Sequence, residues 1–268
     1  PYISVIAAAG HSLTIVSYEK VARSEEQIAL IERKLQNIGI NWVHLEFKSG
    51  KFWAIKRLLD GVFLIRKLCR QIQPDFMHLR GFVPAVIFQL SRSRVPYLYD
   101  FRGFALGEWV DIGKIKPSSL LYHILNGLDQ KAVKKASGLV VLEQSAKRLL
   151  KETYYVPNVP FKVIRTCTDV KNYRQRENLG NKGNSALHFV FLGGARFPYR
   201  PDLALRLIQN LINHGLDCSI DFINEGDHGI IEKAIDSTSI SKEKVRILRC
   251  EHSEIPNVLA TYDCGIVM

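Results

Sequence analysis

"FVFLGGARFPYRPDLAL", residues 189 to 205, carries the reading of the fold. An apolar run of β-forming residues ends in Gly193 and Gly194, and Pro201 opens a segment that reads as a helix as far as about His214. Parallel strands cannot be joined by a tight turn; they need a crossover, and a helix supplies it. A strand that stops on glycine and passes into a helix is therefore a unit of a parallel sheet. The two glycines let the backbone come close to whatever sits beyond the strand end.

The same alternation continues in both directions. Downstream lie "CSIDFI" (218 to 223), a helix, "KVRILRC" (244 to 250), a second helix and "DCGIVM" (263 to 268). Upstream, "NYRQRENLGNKGNSA" (172 to 186) interrupts the pattern; rich in Asn, Gly and charge, it reads as a linker. Before it come "HSLTIVSY" (11 to 18), a helix over about 24 to 37, "NWVHLEF" (41 to 47), a long helix over about 51 to 72, strands near 75 to 79 and 96 to 101, a helix over about 118 to 135, "GLVVLEQS" (138 to 145) and "FKVIRT" (161 to 166). The expectation is an α/β protein of two Rossmann-like domains, 1–172 and 187–268, joined by a linker at 173–186, each a parallel sheet flanked by helices.

The chain has 268 residues, 47% hydrophobic and 24% charged, enough for real cores. Its net charge of +11 points to an anionic partner: nucleic acid, a phosphorylated small molecule or an acidic membrane surface. Nucleic acid is the weakest of these, because neither a recognised module nor basic-aromatic interleaving is present. No apolar run reaches the roughly 18 to 20 residues of a membrane span. The start carries no signal-peptide pattern, and both ends read as cut, since Pro1 leads straight into a helix and Met268 ends a strand. Five scattered cysteines with no CxxC pair read as reduced thiols of a cytosolic chain. A dinucleotide dehydrogenase is disfavoured, because no G-x-G-x-x-G follows a strand.

Ligands of open parallel sheets sit beyond the carboxyl ends of the strands. Two such ends here carry charge: His78, Arg80 and Gly81 in "PDFMHLRGFVPAV" (74 to 86), and Asp100, Arg102 and Gly103 in "PYLYDFRGFALGEW" (96 to 109). Asp100 and Arg102 read as an ion pair, either shaping a site or simply closing the sheet end. His78 lies on an alternating run and either faces the core or joins that site. Glu108 and Asp111 fall on a following loop, either at a binding surface or merely solvated.

In order and spacing these segments together resemble the retaining glycosyltransferases of the GT-B fold, family 4 (glycosyl transferases group 1), over nearly the whole chain. "YISVIAAAGHSLTIVS" is similar to the family's helix and GHxVxVxS strand, "QPDFMHLRGFVPAV" to PDxVHxHG, and "GLVVLEQSAKRLL" to ADxVIxxSxxxxxxL. "KVIRTCTDVKNY" is similar to xVIPxxVDxxxF, with Asp169 and Tyr173 at the matching places. "FVFLGGARFPYRPDLAL" resembles xxxVGRxxxxKGxxxL, and "EIPNVLATYDCGIVM" resembles the helix and strand leading to the donor loop.

The resemblance implies transfer from a nucleotide-sugar donor to a saccharide or lipid-linked acceptor, with no cofactor and no metal. Arg200 stands where the family has its diphosphate lysine, and Arg196 is one residue off the family's arginine. With Gly193 and Gly194 they form the candidate diphosphate site; the bland alternative is two solvated surface arginines. Gly226 in "INEGDHG", with Arg249 and Cys250 in "RILRCEHSE", marks the nucleotide-base region. His78, Arg80 and Glu108 fall on the acceptor side. Arg102 stands at the family's active-site histidine position, so Arg102 and Asp100 are the catalytic candidates. The family's first strand and glycine-rich loop would precede Pro1, and its P-x3-E-x7-E region would follow Met268. Little or no transferase activity is therefore expected of residues 1–268 alone. A nucleotide-sugar epimerase, an inverting transferase and a non-catalytic basic binding protein are the rival readings.

The long helix keeps two readings. Lys48, Lys51, Lys56, Arg57, Arg66, Lys67 and Arg70 face a single Asp60, while Phe52, Ile55, Leu59, Val62 and Ile65 fall near helical spacing with Trp53 and Phe63 beside them. Either this is a core-packed helix with a solvated basic side, or a basic amphipathic face for anionic lipid on the cytoplasmic side of a membrane.

Overall fold

A computed structural model describes residues 2–19, 24–48, 50–155, 159–168, 170–173, 186–196 and 198–267, with backbone only at 51 and 172. Asp169 and residues 174–185 of the expected linker lie outside the described residues. The chain divides into two compact units, Pro1–Arg165 and Thr166–Met268.

The first unit runs α1 (Tyr2–Ala8), β1 (Leu13–Glu19), α2 (Glu25–Gln36), β2 (Ile40–Glu46), α3 (Lys51–Ile72), β3 (Met77–Arg80), α4 (Phe82–Ser91), β4 (Tyr97–Asp100), α5 (Ala105–Asp111), α6 (Leu120–Lys135), β5 (Gly138–Val141), α7 (Gln144–Tyr154) and β6 (Phe161–Val163). The strands form a parallel pair β1-β2 and a parallel four-stranded sheet in the order β3-β4-β5-β6. β6 stops at Val163, three residues short of the expected strand, whereas β3 extends to Arg80.

Local chemistry explains these bounds. Ser24 caps α2 in a reciprocal box with Gln27, and Ser119 caps α6 through the Tyr122 amide. β5 is buried along its whole length, as expected of an apolar strand with helices on both faces. At the centre, Tyr99, Phe101, Leu139, Val141, Val133 and Leu150 pack together. Asp129 is buried among them, accepting hydrogen bonds of 2.7 Å from the hydroxyls of both Tyr99 and Tyr154. Burial pushes the Asp129 carboxyl up, and the two phenol donors only partly offset it. α3 lies tight on its neighbours: a Cβ at Gly61 would stand 2.8 Å from both Ile87 Cδ1 and the Tyr18 hydroxyl. That close approach requires glycine.

The second unit runs from a 3-10 turn (Val170–Asn172) through β7 (Leu187–Leu192), α8 (Pro201–Asn213), β8 (Cys218–Ile223), α9 (His228–Asp236), a 3-10 turn (Lys242–Lys244), β9 (Val245–Leu248), α10 (Ile255–Leu259) and β10 (Cys264–Ile266). All pairs are parallel, in the order β10-β7-β8-β9. Cys218, Ile220 and Phe222 alternate inward against Ala204, Leu205 and Ile208 of α8 and Ile231 of α9. The opposite face of β8 carries Asp221, buried and gripped bidentately by Arg246 at 2.9 and 2.5 Å, with the Tyr262 hydroxyl donating at 2.6 Å. Burial, reinforced by the Asp221 contact, lifts the Tyr262 phenol to about 12.

Candidate functional site

In the second sheet the chain leaves β7, adds β8 and β9 on one side, then returns to place β10 on the other. Strand order therefore reverses beside β7, and the crevice beyond a reversal is where open α/β sheets accept ligands. The Gly193-Gly194 pair follows β7 directly. Gly193 has φ +128°, a backbone state that side-chain-bearing residues rarely adopt.

This glycine loop is laced to the loop after β8. The Asn224 amide donates to the Gly193 carbonyl at 2.6 Å, and its oxygen accepts from the amides of Gly226 (3.0 Å) and Asp227 (2.5 Å). Asn224 is itself buried, and its own amide donates to the Leu248 carbonyl at 3.0 Å, tying in the end of β9. Asp227 accepts from the Ala195 amide at 3.3 Å and from Arg196 Nε at 2.6 Å. Burial works to raise the Asp227 carboxyl, but the Arg196 and Ala195 donors outweigh it and hold the group low. The Tyr199 ring lies over Gly194, where a Cβ would meet it at 3.5 Å. Arg200 precedes α8 and is clasped by Asp202, two bonds of 2.8 and 2.7 Å, which raises its affinity for the proton further.

The candidate diphosphate residues Gly193, Gly194, Arg196 and Arg200 thus share one strand end, with both guanidiniums exposed and each already matched to a carboxylate. Gly226 is held in the adjoining loop by Asn224. Arg249 and Cys250 follow β9 on the same sheet edge; burial and then Glu254 and Glu251 push the Cys250 thiol up.

At the carboxyl end of the first unit's sheet, Arg80 and Asp100 are register partners on β3 and β4. Asp100 is buried, and three basic side chains converge on it: Arg80 Nη1 at 3.0 Å, His78 Nε2 at 3.5 Å and Arg102 Nη1 at 3.7 Å. Its Oδ1 is buried and accepts no hydrogen bond among the described residues. Burial would raise the Asp100 carboxyl; the His78 hydrogen bond and the charges of Arg102 and Arg80 overcome that and depress it. His78 does not face the core. In β3 Leu79 is buried while His78 and Arg80 project to the other side, as period-two alternation requires. The Tyr2 hydroxyl lies 2.6 Å from His78 Nδ1. The imidazole is thus held between a carboxylate at Nε2 and a phenol hydroxyl at Nδ1. Gly103, at φ +153°, sits where a Cβ would come within 3.0 Å of Glu108 Oε1, so Glu108 borders the same turn; the loop expected for Glu108 and Asp111 is instead helix α5, which holds both.

Chemically, this end offers a carboxylate-oriented imidazole beside two guanidiniums, able to handle a proton next to a bound anion or hydroxyl. Three contributors escaped the sequence reading. Asn224 and Asp227 had a local signal, the Asn-Glu-Gly-Asp spacing of an Asx turn. Tyr2 had none, because it meets His78 across 76 positions of chain.

No family model matches the chain, and no curated protein matches it in sequence. Solved structures do match its fold. Sucrose-phosphate synthase from Thermosynechococcus elongatus aligns with a TM-score of 0.62 at 8% identity, over 96% of this chain and 75% of that one. A glycosyltransferase from Rickettsia africae aligns with a TM-score of 0.58 at 15% identity, over 98% of this chain and 66% of that one. A protein assigned as a UDP-N-acetylglucosamine 2-epimerase from Listeria monocytogenes aligns with a TM-score of 0.54 at 11% identity, over 93% of this chain and 72% of that one. The chain has the α/β, Rossmann-like GT-B fold of these neighbours, parallel sheets flanked by helices.

Proposed function

We propose that the chain is a glycosyltransferase that moves a sugar from a nucleotide-sugar donor to a hydroxyl acceptor with retention, in the manner of family 4, during polysaccharide or glycolipid assembly. The observation that carries this reading is the laced glycine loop at the strand reversal of the second sheet. Gly193, where a Cβ would meet nothing within 4 Å, lets a diphosphate approach the backbone, and Arg196, Arg200 and the amino end of α8 supply positive charge. That charge would stabilise the diphosphate as the anomeric C–O bond breaks. The acceptor oxygen would bond to the anomeric carbon on the same face, its proton passing to the departing phosphate. Asp100, Arg102, His78 and Arg80 would order the acceptor, with Glu108 beside them; Gly226, Arg249 and Cys250 would border the nucleotide base.

Calorimetric titration with UDP, GDP and ADP tests the donor site. One of them should bind, and Arg200→Ala should weaken binding about tenfold by removing a charge-assisted contact. Absence of binding by all three to the folded chain would overturn the reading. A second reading, a nucleotide-sugar epimerase, draws on the His78–Asp100 pair, which offers a base for a sugar carbon. Solvent deuterium entering the sugar ring of a UDP-sugar, seen by NMR and lost in His78→Ala, would favour it. Nucleotide binding with neither transfer nor exchange would favour a non-catalytic binding protein.

A further inference from the structure

The long basic helix resolves in an unexpected way. Of its apolar residues, Val62 is buried and Ile65 packs on the first unit's core. Phe52, Ile55, Leu59 and Phe63 instead face solvent, at 73, 63, 51 and 64% exposure. Their spacing of three, four and four residues sets them on one stripe, beside the face that packs on α4. A contiguous stripe of four large apolar side chains is far more than scattered surface hydrophobes. Lys67 and Arg70, both exposed, continue it toward the C-terminus. Lys48 stands near its start, over the Trp53 ring. The lone acid, Asp60, is matched by Lys56 at 2.6 Å.

We propose that this face of α3 docks the first unit on an anionic lipid surface. Phe52, Ile55, Leu59 and Phe63 would enter the headgroup–acyl boundary, with Lys48, Lys67 and Arg70 among the lipid phosphates. Charge complementarity selects this occupant. A second copy meeting the stripe about a two-fold axis would bring the same cationic residues together against only Glu46 and Asp60, each already matched to a lysine of its own copy. Among the described residues no helix is long and apolar enough to cross a membrane, and in this proposal α3 would lie on the surface. The inference goes beyond the transfer reading and stands independently of it.

Cosedimentation with vesicles of phosphatidylcholine alone, and of phosphatidylcholine with phosphatidylglycerol, tests it. The chain should partition onto the anionic vesicles only, and Leu59→Ser with Phe63→Ser should reduce that partition at least about tenfold. Lys67→Glu with Arg70→Glu should reduce it by a similar factor, as should high salt. Lys233→Glu with Lys242→Glu, the same charge change in the second unit, should leave it intact. Circular dichroism confirms that each variant is folded; these side chains are exposed, so the fold should persist. Failure to bind anionic vesicles would overturn the proposal. So would equal loss in the Lys233/Lys242 control, which would make binding a bulk-charge effect. Light scattering showing a dimer that Phe63→Ser dissociates, with no lipid binding, would assign the stripe to a second copy instead.

Discussion

The carboxyl ends of the two units' sheets both gather arginines, but they do so by opposite means. At the first, one buried carboxylate, Asp100, is shared by Arg80, His78 and Arg102, so positive charge is in excess and one carboxylate oxygen accepts no hydrogen bond among the described residues. At the second, Arg196 and Arg200 each have their own acid, and backbone lacing through Asn224 sets the shape. The first end is organised by charge and the second by hydrogen-bond geometry. Mutation and pH should therefore separate them.

Removing the shared acid should have the largest effect. Asp100→Ala leaves Arg80 and Arg102 without their shared counter-charge and removes the carboxylate facing His78, and losing interactions with a charged group costs up to about 3 kcal/mol. Urea denaturation should show it, and Arg80→Ala should partly restore the double mutant by relieving the repulsion. Next, Asn224→Ala deletes bonds to Gly193, Gly226 and Asp227 and should cost about 2 kcal/mol. It should also loosen nucleotide binding, an effect Asp100→Ala should lack.

The pH dependence sharpens the contrast within the first unit. Asp100 is depressed in the folded state, so its contribution is full above the ordinary carboxylate range and is lost as pH falls through its folded value. Asp129 is raised, so its contribution is present at low pH and is lost as pH rises through its folded value. Urea midpoints followed from pH 7 to pH 3 should therefore flatten on the acid side in Asp100→Asn. In Asp129→Asn, any change should appear toward the neutral side.

The smallest expected effect is Asp227→Asn. The pair it weakens is solvent-exposed on the Arg196 side, worth under about 1 kcal/mol, so stability should barely move. Diphosphate affinity should hold or rise as Arg196 is released. A clear fall would mean that Asp227 orders Arg196 for the ligand rather than competing with it.

Much of this was legible beforehand. The strand–glycine–helix unit at 189–205 and the alternation around it depend on local periodicity and turn chemistry, so most elements could be read directly, while the short helices α4 and α5 behind the strand ends could not. Arg80 and Asp100 could be marked because charge at the end of an apolar strand is costly anywhere. Neighbouring atoms across the chain could not be read that way. Tyr2 joins His78 only because α1 and β3 meet in space, and Asn224 matters only because β7 and β8 are adjacent.

By itself, the sequence determined the α/β class, the strands with most of the helices between them, and the strand ends where charge collects, because propensity and period act over a few residues; helices α4 and α5 were not read from it. Only the tertiary structure decided which side of α3 is core. Phe52 and Val62 are equally apolar on paper, and their opposite fates follow from α3 pressing its Gly61–Val62 side onto α4 and β1. It also decided that Arg196 meets Asp227, 31 positions away, since ion pairing depends on distance in space; the partner of Arg200, Asp202, lies only two residues on.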